Sequence, residues 1–406
     1  MPILRNQVHD KPMRRRPNSD ATLPAPDEDS LAHSERVAER IRQAIESAGG
    51  SLSFAEFMHL ALYAPGLGYY NAGTRKFGAA GDFTTAPETS PLFGRVLARQ
   101  CANVLQALPS QNVLELGAGS GILAAEILKS LPAHGVDSCS FAILEVSPEL
   151  RKRQEDLLLA QTPAANVEWL DELPQSFCGV VIANEVTDAL PVERFERTSA
   201  GVLQHRVVCK GDGFGWHREP APTFLEEAVL HLEDTLGARL PAGYVSELSA
   251  GLPAWIGEIS TCIGQGFVFL LDYGVTRREY YAEDRSGGWL RCQFRHRAHG
   301  NPLIYPGIQD LSAWVDFTTV AEAATDAGMD IGGFVTQSQF LLNGGLESEM
   351  GEFDRLPTAA RLELSKQVKL LTLPGEMGEH FKCIGLSKNQ NMIPAAFSLY
   401  DRSHTL

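Results

Sequence analysis

Hydrophobic positions along the chain change period several times, and each change marks an element. From Leu31 to about Gly49 the apolar residues recur at helical spacing, and Gly49 and Gly50 end the run. FAEFMHLALY follows, with Phe54, Phe57, Met58 and Leu62 on one helical stripe. Ala64 to Pro91 then has no clean period and is crowded with Gly, Pro, Thr and Tyr. A stretch that long and irregular inside a compact protein is functional or disordered, and Tyr69, Tyr70, Phe77 and Phe83 favour function. After Pro109 apolar runs alternate with helical ones. NVLELGAG, SFAILEVS, FCGVVIANEV and GFVFLLDYG read as strands, and ILAAEILKSL and PELRKRQEDLLLAQ as helices. This alternation predicts an α/β fold with a mostly parallel sheet covered on both faces. RTSAGVLQHRVVCKGDGFGWH reads as an added strand pair, Phe224 to Ser260 as added helices, and EHFKCIGLSK as a closing antiparallel strand. The predicted organisation is a disordered tail over 1–30, a helical segment and lid loop over 31–110, and a core over 111–406 with insertions at about 195–265 and 276–345.

Composition changes this picture little. Of 406 residues, 44% are hydrophobic and 21% charged, enough apolar content for a sizeable core. The formal net charge of −15 disfavours a mainly electrostatic nucleic-acid or membrane-surface binder. The seven cysteines are dispersed, without a CxxC pair, and read as reduced thiols, not as a disulfide frame or zinc site. No apolar run approaches a membrane span. The first thirty residues carry Arg14, Arg15 and Arg16 without an apolar stretch, so a polar tail is favoured over a secretory signal or presequence.

The chemistry begins at Glu115-Leu-Gly117-Ala118-Gly119-Ser-Gly121, which ends the first core strand. Glycines there let the backbone turn tightly and approach a nucleotide. The third glycine comes one position earlier than in GxGxxG, and an acid precedes the first. This [ED]xGxGxG spacing is the form used for S-adenosylmethionine (AdoMet), which carries a sulfonium and an ammonium but no pyrophosphate. Another nucleotide site or a plain tight turn is the competing reading. Glu145, ending the second strand, is placed to accept both ribose hydroxyls. Asp171, in WLDEL, is expected at the adenine edge. The next strand ends at Asn184-Glu185-Val-Thr-Asp188; these three polar residues are the candidate catalytic residues, and Asn184 is also a candidate cofactor contact. Paired carboxylates hold a guanidinium through charge-assisted bonds and aim its nitrogen at a methyl. A helix cap at Asp188 is the bland alternative.

Irregular blocks as well as the glycine motif carry a resemblance: SFAEFMHLALYAPGLGYY, FGAAGDFTTAPETSPLFGRVLARQ, ILEVSPELRKRQ, IANEVTDALPVERF, LLDYG and PLIYPGIQDLSAWVDFT. Over roughly residues 51–345 the chain resembles the MidA family of AdoMet-dependent methyltransferases. The resemblance implies a Rossmann-like class I methyltransferase fold with AdoMet as cofactor and a protein arginine as acceptor, with symmetric ω-N dimethylation. The implied partner is a subunit of respiratory NADH dehydrogenase (complex I); a homodimer is left open. It further implies that the loop 78–91 covers the cofactor. There Gly81, Asp82, Thr84, Thr85, Pro87, Glu88 and Ser90 would bind the methionine end of AdoMet or the acceptor. Gln309, Asp310 and Asp316 are expected to line the acceptor channel, with helix capping or turn roles as the alternative. Thr187 replaces the apolar residue expected in NExxDALP and leaves the acceptor pocket's shape open.

Within the same enzyme class, another protein or a small molecule is the alternative acceptor, and two other function classes compete. A methyltransferase-fold assembly chaperone would not need the glycine motif, Glu145 and both acids after Asn184 intact. A nicotinamide oxidoreductase is disfavoured by the glycine spacing and the lack of a Tyr-x-x-x-Lys pair. The reduced cysteines fit a bacterial cytoplasm, with the mitochondrial matrix as the alternative.

Overall fold

The computed structural model describes residues 23–72, 85–351 and 353–406. The first helix, Glu28–Ser47, starts earlier than the pattern predicts, because Asp27 caps it by accepting from the Ser30 N–H at 2.8 Å. Arg295 donates both to that carboxylate and to the Ala25 carbonyl. Residues 23–30 therefore hold a cap and a first helical turn instead of tail; residues 1–22 lie outside the described residues.

The main sheet contains β1 (Asn112–Leu116), β2 (Ser140–Leu144), β3 (Asn166–Leu170), β4 (Phe177–Asn184), β5 (Ile263–Val275), β6 (Asp330–Thr336) and β7 (Phe381–Lys388). Their order is β3-β2-β1-β4-β5-β7-β6. β1 to β5 pair in parallel, and β7 runs antiparallel to both β5 and β6. The closing antiparallel strand is as predicted; β6 had no prediction. A short strand, Val315–Asp316, pairs with the carboxyl end of β5.

β4 and β5 are central, so they must be apolar on both faces. Val180 to Ala183 and Phe267 to Leu271 are accordingly buried. Helices Pro91–Leu105, Ile122–Ser130 and Gln337–Asn343 cover one face. Helices Leu252–Cys262 and Phe317–Asp326 cover the other. Both predicted insertions are thus too long at their carboxyl ends. A helix that covers a sheet and one that packs on an insertion show the same apolar stripe, so pattern alone misassigns them.

The remaining parts form a second layer. Glu193–Thr198, Gly201–Lys210, Gly213–Pro220 and Tyr244–Leu248 make an antiparallel sheet joined by Leu52–Ser53. Glu28–Ser47 and Phe54–Tyr63 pack against it through Val37, Ile41, Phe54, Phe57 and Val207. The predicted N-terminal segment and first insertion are therefore one packed unit. Leu303 and Leu311 join the same cluster and bring in a three-stranded sheet, Arg291–Phe294, Arg297–His299 and Asp310–Ser312. Among the described residues no helix is long and apolar enough to cross a membrane.

Candidate active site

Between the carboxyl ends of the core strands and the second layer lies a cavity of about 1500 Å³. Pockets for one drug-sized ligand are ~300–1000 Å³, so this one has room for a nucleotide and an acceptor group. Gly117, Ala118, Gly119 and Ser120 form part of its wall at the end of β1. Gly117 (φ +64°) and Gly119 (φ +53°) adopt the left-handed conformation that lets the chain reverse beside the cavity. Gly121 (φ +80°) instead starts the helix Ile122–Ser130.

Glu115 is 2% exposed and lines the cavity, and among the described residues its Oε2 has no hydrogen-bond partner. Burial, with Glu145 nearby, pushes its carboxyl up to about 8. Glu145 directly follows β2 and accepts from the Ser147 N–H at 2.9 Å and from Gln154 Nε2 at 3.0 Å. Gln154 also donates to the Gly119 carbonyl at 3.0 Å and accepts from Trp169 Nε1 at 3.0 Å. This buried amide fixes the glycine turn to Glu145; nothing in its sequence setting distinguishes it from other helical glutamines. The residues present fit AdoMet: a glycine turn, an acid after β2 able to accept from ribose hydroxyls, and a buried carboxylate oxygen able to pair with a cation.

Asp171 does not reach this cavity. Its side chain is 90% exposed and pairs with Arg151 at 2.9 Å, whereas Glu172 and Leu173 form the wall. The turn after β3 swings the aspartate outward, a direction the sequence does not encode. Of the expected lid residues, Thr85 and Pro87 line the cavity. Ser90 does not; it caps the helix Pro91–Leu105 and donates to Gln367 at 2.8 Å. Glu88 lies close enough to Glu185 to raise its carboxyl. Gly81, Asp82 and Thr84 lie outside the described residues.

Beyond β4 the character changes from nucleotide pocket to acid cluster. Asn184, Glu185 and Asp188 all line the cavity, together with Asp310, Tyr63, Tyr70 and Tyr273. Glu185 has φ +54°, a conformation costing a non-glycine residue about 1–3 kcal/mol. Its backbone N–H donates to Leu271 at 2.9 Å, and its carboxylate lies 3.4 Å from both the Ala86 N–H and Asn184 Nδ2. Burial first, then Asp272, pushes Glu185 up to about 8. Burial, then Asp272, Asp310 and Glu185, holds Asp188 well above the usual carboxylate range. Tyr70 donates to Asp310 at 2.8 Å and stacks on Tyr63, whose hydroxyl donates to the Ala189 carbonyl at 2.9 Å.

Asp272, from LLDYG, is not singled out by the sequence although it lies near the carboxyl end of β5. It accepts from the Thr187 hydroxyl at 2.6 Å and from the Thr187, Asp188 and Tyr273 N–H groups at 2.9, 3.1 and 2.8 Å. Thr187 is thereby turned away from the main cavity and ties down the loop that carries Asp188. Asp272→Ala strands these buried donors at about 1–3 kcal/mol each. A loss of about 4 kcal/mol or more in urea-unfolding free energy is expected, while Asp272→Asn should lose less. Unchanged stability in the alanine variant would refute the anchoring role. Gln309 faces the Pro302 and Ile304 carbonyls, and Asp316 caps the helix Phe317–Asp326 and pairs with Arg277 at 3.2 Å. Neither borders the main cavity. Only Asp310 of that predicted trio does, from a strand and not from a cap.

The S-adenosyl-L-methionine-dependent methyltransferase model Methyltransf_28 matches residues 96–335. A COG1565 superfamily protein from Burkholderia thailandensis, solved with S-adenosyl-homocysteine, is 40% identical. It superposes with a TM-score of 0.89 over 95% of this chain and 100% of that one. The chain belongs to this family. A second Burkholderia thailandensis structure gives 41% identity and a TM-score of 0.87 with the same coverage. More distant is the mitochondrial protein arginine methyltransferase NDUFAF7 of Danio rerio, 29% identical over 82% of this chain and 83% of its own. The human NDUFAF7 is 27% identical over 84% and 81%. The MidA-like, Rossmann-like class I fold and the AdoMet cofactor are therefore established for this chain.

Cofactor binding should release a proton. Glu115 is largely protonated at neutral pH when its carboxyl sits near 8, and a sulfonium or ammonium beside it favours the carboxylate. Affinity for AdoMet should then rise as pH approaches 8 and level off above it. Calorimetry in buffers of different ionisation enthalpy counts the proton, and Glu115→Gln separates it from titration of the cofactor's own amine. Identical proton release by the two proteins would rule out this role for Glu115.

Proposed function

We propose that this chain is a protein arginine methyltransferase whose acceptor guanidinium is held by Glu185, Asp188 and Asp310. The observation that carries this reading is the convergence of three buried or half-buried carboxylates on one tyrosine-walled end of the cavity. Burial, with Asp272 beside them, raises Glu185 and Asp188 in the free protein, and Asp310 and Glu185 add to the effect at Asp188. A planar cation relieves the repulsion, accepts bidentate pairing and stacks on aromatic rings. A neutral or anionic acceptor would leave the cost in place.

AdoMet supplies a methyl group on a sulfonium that leaves readily as a thioether. The protein's own work is then positioning and exclusion of water. Glu185 aims the acceptor nitrogen, Asp188 pairs with the opposite edge of the guanidinium, and the tyrosines limit its rotation. The nitrogen lone pair forms the new bond to the methyl carbon as the carbon–sulfur bond breaks. The proton lost from nitrogen passes to Glu185. The names of the NDUFAF7 relatives support arginine, and the family resemblance supports a respiratory NADH dehydrogenase subunit as the protein acceptor. We place the reaction in a bacterial cytoplasm, in keeping with the free cysteines.

The test is mass spectrometry of arginine-centred peptides incubated with the protein and AdoMet. Methyl groups on guanidinium nitrogens support the reading. Methylation only of lysine, carboxylate or small-molecule acceptors would sink it.

A further inference from the structure

The three-stranded sheet presents a polar face to the cavity, of which only Asp310 belongs to the acid cluster. Along Arg291–Phe294, Cys292 and Phe294 are buried in the protein, while the alternate positions Arg291 and Gln293 face the cavity. In the neighbouring strand Leu311 is buried, and Asp310 and Ser312 face the cavity. The antiparallel register sets Arg291 opposite Ser312 and Gln293 opposite Asp310, so the four side chains form one small platform. It is tied to the acid cluster, because the Ala313 N–H donates to the Asp188 carbonyl at 2.9 Å.

Arg291 is the one arginine or lysine among the described residues lining this cavity. Its side chain is exposed and lies over the Trp314 ring, with the guanidinium carbon 5.7 Å from the ring centroid. No carboxylate among the described residues pairs with it, whereas Arg194, Arg197 and Arg277 are all held in buried or half-buried ion pairs. An arginine lying on an indole, in an otherwise acidic cavity, keeps its fork of donors available for a carboxylate.

We propose that Arg291 determines acceptor specificity by binding a carboxylate carried by the acceptor beside its target guanidinium. The inference rests on the arginine reading above. The platform then reads a charge pair: the acid cluster takes the cation, and Arg291 takes the anion. The methionine carboxylate of AdoMet is the other source of the same chemistry. Its glycine cradle lies at the end of β1. Trp314 precedes the strand Val315–Asp316, which pairs with β5, and β4 stands between β5 and β1. That separation favours the acceptor.

The experiment uses the full-length protein and peptides with one central arginine, each carrying aspartate or alanine at one flanking position. Wild type should prefer at least one aspartate register by about tenfold in kcat/KM, expressed mainly in KM. Arg291→Ala should lose that preference with kcat and AdoMet affinity nearly unchanged. Arg291→Lys should restore part of it, and Arg291→Glu should favour lysine at the same position. Equal rates on acidic and neutral peptides by wild type overturn this inference alone. Weakened AdoMet binding in Arg291→Ala with the peptide preference intact assigns the residue to the cofactor and overturns it too. Failure of wild type to methylate any arginine peptide overturns the arginine reading and this inference together.

Discussion

Gly119→Val should lose AdoMet affinity by more than about 100-fold, roughly 2.7 kcal/mol, while the protein stays folded. Two effects act in the same direction. Gly119 has φ +53°, which a β-branched residue adopts only under strain, so the turn must relax toward another shape. The residue also lines the cavity, so a branched side chain takes space the cofactor needs. Relaxation of the turn would further disturb the bond from Gln154 to the Gly119 carbonyl, and with it the placement of Glu145. Gly119→Ala keeps the strain with less bulk and should fall between. Titration calorimetry with AdoMet reads the affinity, and a thermal melt verifies the fold. Wild-type affinity in the valine variant would mean that the cofactor does not use this turn.

Glu185→Gln should leave AdoMet affinity within about twofold but lower kcat about 100-fold, the range of one positioned acid–base group. The amide keeps the size of the side chain and loses both the charge that aligns the acceptor and the site that takes its proton. The pH profile separates this role from a structural one. Burial and Asp272 hold Glu185 near 8, so the acceptor-competent carboxylate becomes populated as pH rises. For wild type, kcat/KM for the acceptor should climb with pH to about 8, and the glutamine variant should lose that limb. Equal loss of cofactor affinity in Gly119→Val and Glu185→Gln would contradict the division into a cofactor end and an acceptor end.

Much of this was legible without coordinates because it depends on local periodicity. β1, β2, β4 and β5 are continuous apolar runs that have no stable alternative to burial in a central sheet. Glu115 stands near the end of its run, and the glycine turn and the acids Glu145, Glu185 and Asp188 come directly after theirs, so their place at the carboxyl edge follows from strand direction. Where a side chain points after the strand ends is a different matter. Asp171 and Glu172 are adjacent, and only the path of the turn sends the first to solvent and the second to the cavity wall. Ser90, Asp316 and Gln309 are polar residues in promising blocks, yet each satisfies a nearby backbone or side-chain partner instead.

The sequence by itself determined the parallel core, its closing antiparallel strand, the nucleotide turn and the paired acids after β4, because each rests on spacing within one segment. The tertiary structure decided the rest. It folded the N-terminal helices and the inserted strands into a single layer, brought Asp310 and Tyr70 to Asp188, and set Asp272 under the loop of Thr187. Those contacts join residues far apart in the chain, and their energy comes from burial and hydrogen bonds formed only when separate segments close on one another.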